Sequence, residues 1–287
     1  MTTNMKTAVI SDPFFREYTS QEAILKYTRA TAGYGIGYLL DHDYKAIYLA
    51  ALNALPPEMK RRGIRILEFG CGGGMSLVHL ISVFERGAVG VEAAVGTDFS
   101  PVLIEAARRE AKNYLREEQI PKVSFHVAKN ETLIDDLVAS MGTEEAILRD
   151  SFHLILGVNT MRYCHRAKKE VDCARDIFDM LVPGGVCVNI DMNDRFPFFR
   201  SALKRRLHGQ MDAPEDCYVP SLAAYTAPFK SAGFDVLRDE HFCWIPHSSG
   251  RVMSHLLATL SPLLNTVARS RAMRSLVVAR KPAGSAR

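Results

Sequence analysis

Apolar and aromatic side chains recur at helical spacing through residues 14–55, in "ILKYTRATAGYGIGYLLDHDYKAIYLAALNAL", and predict helix. Gly33, Gly35 and Gly37 interrupt that pattern, so a turn between two helices is expected there. Pro56 and Pro57 end the segment. From Arg65 onward the pattern changes to short apolar runs alternating with amphipathic stretches. "IRILEFG", "VGTDFS", "KVSFHVA", "SFHLILGVN", "GVCVNIDMN", "FDVLRDEHF" and "RSLVVARKP" read as strands or strand ends. "SFHLILGVN" is nearly continuous in its apolar run, as a strand buried on both faces must be. Between them lie helices, among them "PVLIEAARREAKNYLREE" with Pro101 in its first turn. "KKEVDCARDIFDML" is expected to stop at the turn "VPGG". "VMSHLLATLSPLL" is expected to be a core helix with a proline kink. Such alternation predicts the α/β class: a doubly wound, mostly parallel sheet with helices on both faces. Ligands of these sheets sit at the carboxyl ends of the strands. The expected organisation is a helical cap or lid over residues 1–60 and a sheet domain over 61–287. An inserted basic and aromatic segment lies around 194–220.

Composition narrows the setting rather than the fold. The chain has 287 residues, 47% hydrophobic and 24% charged, with a formal charge of +4. That charge is too small to argue for nucleic acid. The basic run "FFRSALKRRLHG" is short and spaced as a solvated helix face. Six cysteines (71, 164, 173, 187, 217, 243) are scattered without metal-ligand spacing and read as reduced thiols. The first residues lack the apolar core of a signal peptide, and no run reaches membrane-span length. The expectation is a cytoplasmic protein with soluble ligands, as a monomer or homodimer.

The chemistry is concentrated in "RILEFGCGGGMSL". A tight strand-to-helix turn accounts for one or two glycines, but Gly70, Gly72, Gly73 and Gly74 are four. Backbone that must lie against a ligand explains the rest. A dinucleotide fingerprint, G-x-G-x-x-G, is incomplete here because Met75 holds its third position. The string reads instead Glu68-x-Gly70-x-Gly72-x-Gly74. In this the chain resembles the class I S-adenosylmethionine-dependent methyltransferases, whose Rossmann-like fold carries that acidic and glycine motif after the first strand. The resemblance implies S-adenosyl-L-methionine as cofactor. Glu68 then anchors its amino-acid end, or ties down the loop. "D-x-S-P-x-x-I-x-x-A" from Asp98 is similar to the family's second motif, and Asp98 would accept from both ribose hydroxyls. Glu92 is a rival without the strand-end context. At the third strand end Asn130 stands where the family often has an acid for adenine. It bonds the base through its amide or is part of a solvated turn. "NTMRYCHR" after the fourth strand and "LVPGGVCVNID" into the fifth also match the family, so the resemblance covers about 65–191 and, loosely, the last strand.

The acceptor side is less determined. "NTMR" departs from the D/N-P-P-Y/F of nucleic-acid amino methyltransferases, and no carboxylate set suits a metal. Asn159, Tyr163 and His165 follow the fourth strand, and Asp191 and Asn193 the fifth. His165 is a general base or the solvent-facing start of a helix. Tyr163 packs plainly or sets its ring against the cationic cofactor. In the cap, Tyr27, Arg29 and Tyr34 are candidates, Arg29 for the methionine carboxylate or for a surface ion pair. The resemblance implies methyl transfer to an oxygen, nitrogen or carbon nucleophile on a small molecule. A second reading keeps the site but lets the cofactor's own amine attack its γ-carbon, giving azetidine-2-carboxylic acid and methylthioadenosine. A third is a non-catalytic cofactor-binding regulator.

Overall fold

A computed structural model describes residues 18, 28, 33–87, 89–197 and 218–284. Among these, seven strands form one sheet in the order β3-β2-β1-β4-β5-β7-β6. They are β1 (Ile64–Phe69), β2 (Val91–Asp98), β3 (Val123–Val127), β4 (Phe152–Val158), β5 (Leu181–Met192), β6 (Asp235–Phe242) and β7 (Arg274–Arg280). Pairings from β3 through β5 are parallel, and β7 is antiparallel to both neighbours. The order reverses between β1 and β4. Their carboxyl ends therefore flank the crevice where such sheets bind ligands.

Side chains of each central strand alternate between two cores, as the two-residue period of a strand requires. Ile64, Ile66, Leu154 and Leu156 enter one core, and Leu67, Phe69 and Ile155 the other. The first core is closed by α1 (Tyr34–Leu39), a π turn (Leu40–Tyr44), α2 (Lys45–Ala54), α3 (Met75–Arg86) and α4 (Pro101–Tyr114). Tyr44, Tyr48, Leu52 and Leu80 pack there together. The second is closed by α5 (Leu133–Met141), α6 (Glu170–Met180) and α7 (Leu222–Ser231), through Leu137, Ile177 and Phe229. Local signals fix the start of α4: the Ser100 hydroxyl accepts from the Leu103 amide at 3.3 Å, with Pro101 next in line.

Three expectations are corrected. Gly35 and Gly37 lie inside α1, and the helix runs on through the π turn instead of breaking. Gly35 is there for close approach. A Cβ would stand 2.6 Å from Ser249 Oγ and 2.8 Å from the His247 carbonyl, and its amide donates to the Ser249 carbonyl at 2.9 Å. "VPGG" is a bulge within β5 and not a turn before it. Leu181 already pairs with Phe152, and the register slips before Val186 meets Leu154. The apolar helix α8 (Arg251–Ala268) is not in the core. Val252, Leu263 and Val267 are 83%, 61% and 69% exposed, because α8 lies outside the sheet against α1. No described helix is long and apolar enough to cross a membrane.

Candidate active site

The chain leaves β1 through Gly70, Gly72 and Gly74 at φ +61°, +54° and +78°, a region that glycine enters without steric cost. A Cβ on Gly70 would overlap the Thr160 side chain, and one on Gly74 would stand 2.9 Å from Ala107 Cβ. Glu68 lies just before this loop and is buried. The Ser76 hydroxyl and the Leu77 amide at the start of α3 hydrogen-bond to it, while Oε2 has no partner. Burial pushes its pKa up to about 8 against those two bonds, and the Asp98 charge adds to the rise. Glu68 thus ties down the loop and keeps one oxygen in reserve.

Asp98 ends β2 and faces the loop. Its Oδ2 accepts from the Gly72 amide at 3.0 Å and its Oδ1 from the Ser100 amide at 2.9 Å. A carboxylate has about four acceptor positions, so two remain for a pair of hydroxyls. Burial raises its pKa to about 6, opposed by those two amides. Glu92 lies at the other end of β2 and is exposed. Asn130 is half-buried and donates to Thr160 Oγ1 at 2.6 Å, which ties the end of β3 to the residue that fills against Gly70.

At the ends of β4 and β5 the groups are side chains. Asn159 sits at φ +56°, and its Oδ1 accepts from Arg274 Nη1 at 2.6 Å. Asp191 is fully buried; its Oδ1 accepts from Arg162 Nη1 at 3.1 Å, and its Oδ2 has no partner. Arg162 Nη2 donates to the Tyr163 hydroxyl at 2.8 Å, which is 2.6 Å from the Tyr18 hydroxyl. The Tyr18 carbonyl accepts from Ser100 Oγ at 2.6 Å, and its ring meets Phe99 and Tyr163 edge-on. Tyr18 therefore spans from the end of β2 to the loop after β4.

The other candidates are placed less centrally. His165 pairs with Glu170 at 2.5 Å and stacks on Tyr218, with its side chain 39% exposed. Asn193 donates to the carbonyls of Ser270 and Ala272, a tie between β5 and the approach to β7. Tyr34 is exposed, with its hydroxyl 2.9 Å from His255 Nε2. Tyr27 and Arg29 lie outside the described residues, as does most of 194–220. Sequence reasoning missed Tyr18, Thr160, Arg162, His247 and Arg274. Arg274 left a trace: it is a cation directly before the apolar run "SLVVA".

Glu68 with its spare oxygen, the glycine cradle and the half-used Asp98 carboxylate suit a nucleoside with a cationic amino-acid tail, and not a pyrophosphate. A family model described as a methyltransferase domain matches residues 40–239. The chain belongs to that family. Its cofactor is S-adenosylmethionine, and its sheet is that of the class I methyltransferase fold. Over 136 residues, 47% of its length, this methyltransferase chain is 31% identical to the citrinin polyketide synthase of Monascus ruber. The match spans only 4% of that synthase. Among solved structures, the CMeT domain of the citrinin polyketide synthase is 18% identical, with a TM-score of 0.58 over 95% of this chain and 60% of that one. An S-adenosylmethionine-dependent methyltransferase from Mesorhizobium loti is 19% identical, with a TM-score of 0.52 over 80% of this chain and 96% of that one. At such identities the solved structures establish the fold.

Proposed function

We propose that this chain moves the methyl group of S-adenosylmethionine to an oxygen, nitrogen or carbon nucleophile on a small molecule. The observation that carries the reading is the Asp98 carboxylate, held by the Gly72 and Ser100 amides with acceptor capacity left over, across from buried Glu68. In this reading Asp98 takes the ribose hydroxyls, Asn130 the adenine, and Gly70, Gly72 and Gly74 admit the ligand to the backbone. Bound there, the cofactor supplies a methyl carbon made electrophilic by its sulfonium. Asn159, Tyr163 and Asp191 form the acceptor wall, and His165 lies at its outer rim. Arg162 holds Tyr163 and Asp191 in place, and Tyr18 covers the crevice and excludes water. Positioning then supplies most of the rate. The sequence also offers Tyr27 and Arg29 to the cofactor, and both lie outside the described residues. The setting in this reading is cytoplasmic, with no nucleic acid or membrane involved, and the chain acts as a monomer or homodimer.

The curated relative is a polyketide synthase, which makes a polyketide-type acceptor the first to try. The test is mass spectrometry of the nucleoside product, with and without candidate acceptors. S-adenosylhomocysteine that appears only with an acceptor supports methyl transfer. Methylthioadenosine formed above the no-enzyme rate without any acceptor overturns it in favour of attack by the cofactor's own amine. Binding with neither product leaves the regulator reading.

A further inference from the structure

Arg274 opens β7 at the carboxyl edge of the sheet and is 3% exposed. Its Nη1 donates to the Asn159 amide oxygen, its Nη2 meets His247 Nε2 at 2.8 Å, and its Nε has no partner. Burial, and then the Arg274 charge, hold the His247 pKa well below the usual imidazole range, so that neighbour is neutral. Tyr44 is 3.4 Å from the same ring nitrogen and is also neutral, its pKa pushed up to about 12 chiefly by burial. Asp43 and Asp191, whose charges reach Tyr44, are engaged with Cys243 and Arg162. A guanidinium keeps its charge under all ordinary conditions and is rarely buried without an anion. Among the described residues no carboxylate pairs with Arg274, and a donor is left over for one.

The position of Arg274 says where that anion comes from. Asn159 precedes Thr160, whose side chain fills against Gly70. On the other side, the Tyr44 ring is 6.2 Å from that of Tyr48, and the Tyr48 hydroxyl is 2.7 Å from Ser76 Oγ. Ser76 in turn hydrogen-bonds Glu68. The contacts close a ring around the glycine loop, with a cation on one side and a carboxyl group with a spare oxygen on the other. The amino-acid end of S-adenosylmethionine is a zwitterion of matching polarity. We infer that Arg274 is the seat of that end's carboxylate, with its ammonium toward Glu68. Arg274 thereby takes the role that the sequence offered to Arg29. The inference rests on the S-adenosylmethionine reading of the site.

The test titrates three ligands by calorimetry: S-adenosylmethionine, its decarboxylated form, and methylthioadenosine, which lacks the amino-acid end. The proteins are wild type, Arg274→Gln and Arg274→Lys. Wild type should bind S-adenosylmethionine about 10- to 100-fold tighter than the decarboxylated form, the value of a charged hydrogen bond. Arg274→Gln should lose that preference and keep its affinity for methylthioadenosine; Arg274→Lys should retain part of it. Equal affinity of wild type for the first two ligands overturns the inference, as does a preference that survives in Arg274→Gln. Should Arg274→Gln fail to fold and so bind no methylthioadenosine, the ratios in wild type and Arg274→Lys decide. A wild type that binds none of the three overturns the cofactor reading instead, so the two failures are distinct.

Discussion

At the ends of β1 and β2 the site is made largely of backbone: three glycines at positive φ, and two amides that hold one carboxylate. At the ends of β4, β5 and β7 it is made of side chains that meet from far apart in the sequence. Tyr18 and Tyr163 are 145 positions apart, and Arg274 and Asn159 are 115. The first region has little freedom, because a Cβ in the loop collides with neighbours that are themselves packed. The second rests on side-chain pairs, Asp191 with Arg162 and Arg274 with Asn159, that meet only in the folded chain. A site built this way sets a rigid backbone cradle beside a wall of side chains that only the fold assembles.

That contrast breaks most sharply at Gly70. Gly70→Val puts a branched side chain at φ +61° and into Thr160. Cofactor binding should be lost by more than ~100-fold, and part of the chain should fail to fold; near-wild-type affinity by calorimetry would mean that the loop is not the cradle. Asp98→Ala comes next. It deletes the acceptor of two amides and, in the proposed reading, of the ribose hydroxyls, and should weaken S-adenosylmethionine by about 10- to 100-fold while circular dichroism stays native. Tyr163→Phe belongs to the other half. It removes the hydroxyl between Tyr18 and Arg162 and leaves the ring. Turnover should fall about 10-fold with cofactor affinity nearly unchanged, and the reverse pattern would move Tyr163 to the cofactor side.

The same division decides what the sequence reveals. Strand ends, positive-φ glycines and Ser100 as a helix cap are local demands. They are legible in "EFGCGGG" and "TDFSP" without knowledge of the rest of the chain. Core strands are legible too, since Leu154, Ile155 and Leu156 must be apolar to be buried on alternate faces. The helix that runs through Gly35 is not legible. What keeps that glycine is the approach of the 246–249 loop, which lies more than 200 positions away. Nor is the exposure of α8, whose apolar spacing is the same whether a core or solvent faces it. Arg162 stood in the quoted loop beside Tyr163, but only the fold brings Asp191 to it.

Glu68 joins the halves, being part of a strand by position and a reactive side chain by environment. Its pKa of about 8 lies above its unfolded value, so the folded chain holds its proton at pH 7. The folded state then binds more protons than the unfolded one, and stability falls as pH rises through about 8. Asp98 behaves alike, its contribution falling between the unfolded value of 3.8 and about 6. An ammonium beside Glu68 favours the carboxylate, so cofactor binding at pH 7 should expel up to about one proton. Calorimetry in two buffers of different ionisation enthalpy measures that number directly. Glu68→Gln should abolish the release and flatten the fall in melting temperature toward pH 8, an effect of about 1–2 kcal/mol. A wild type that releases no proton would leave Glu68 as a tie for the loop alone, and the amino-acid end of the cofactor would need another partner for its positive charge.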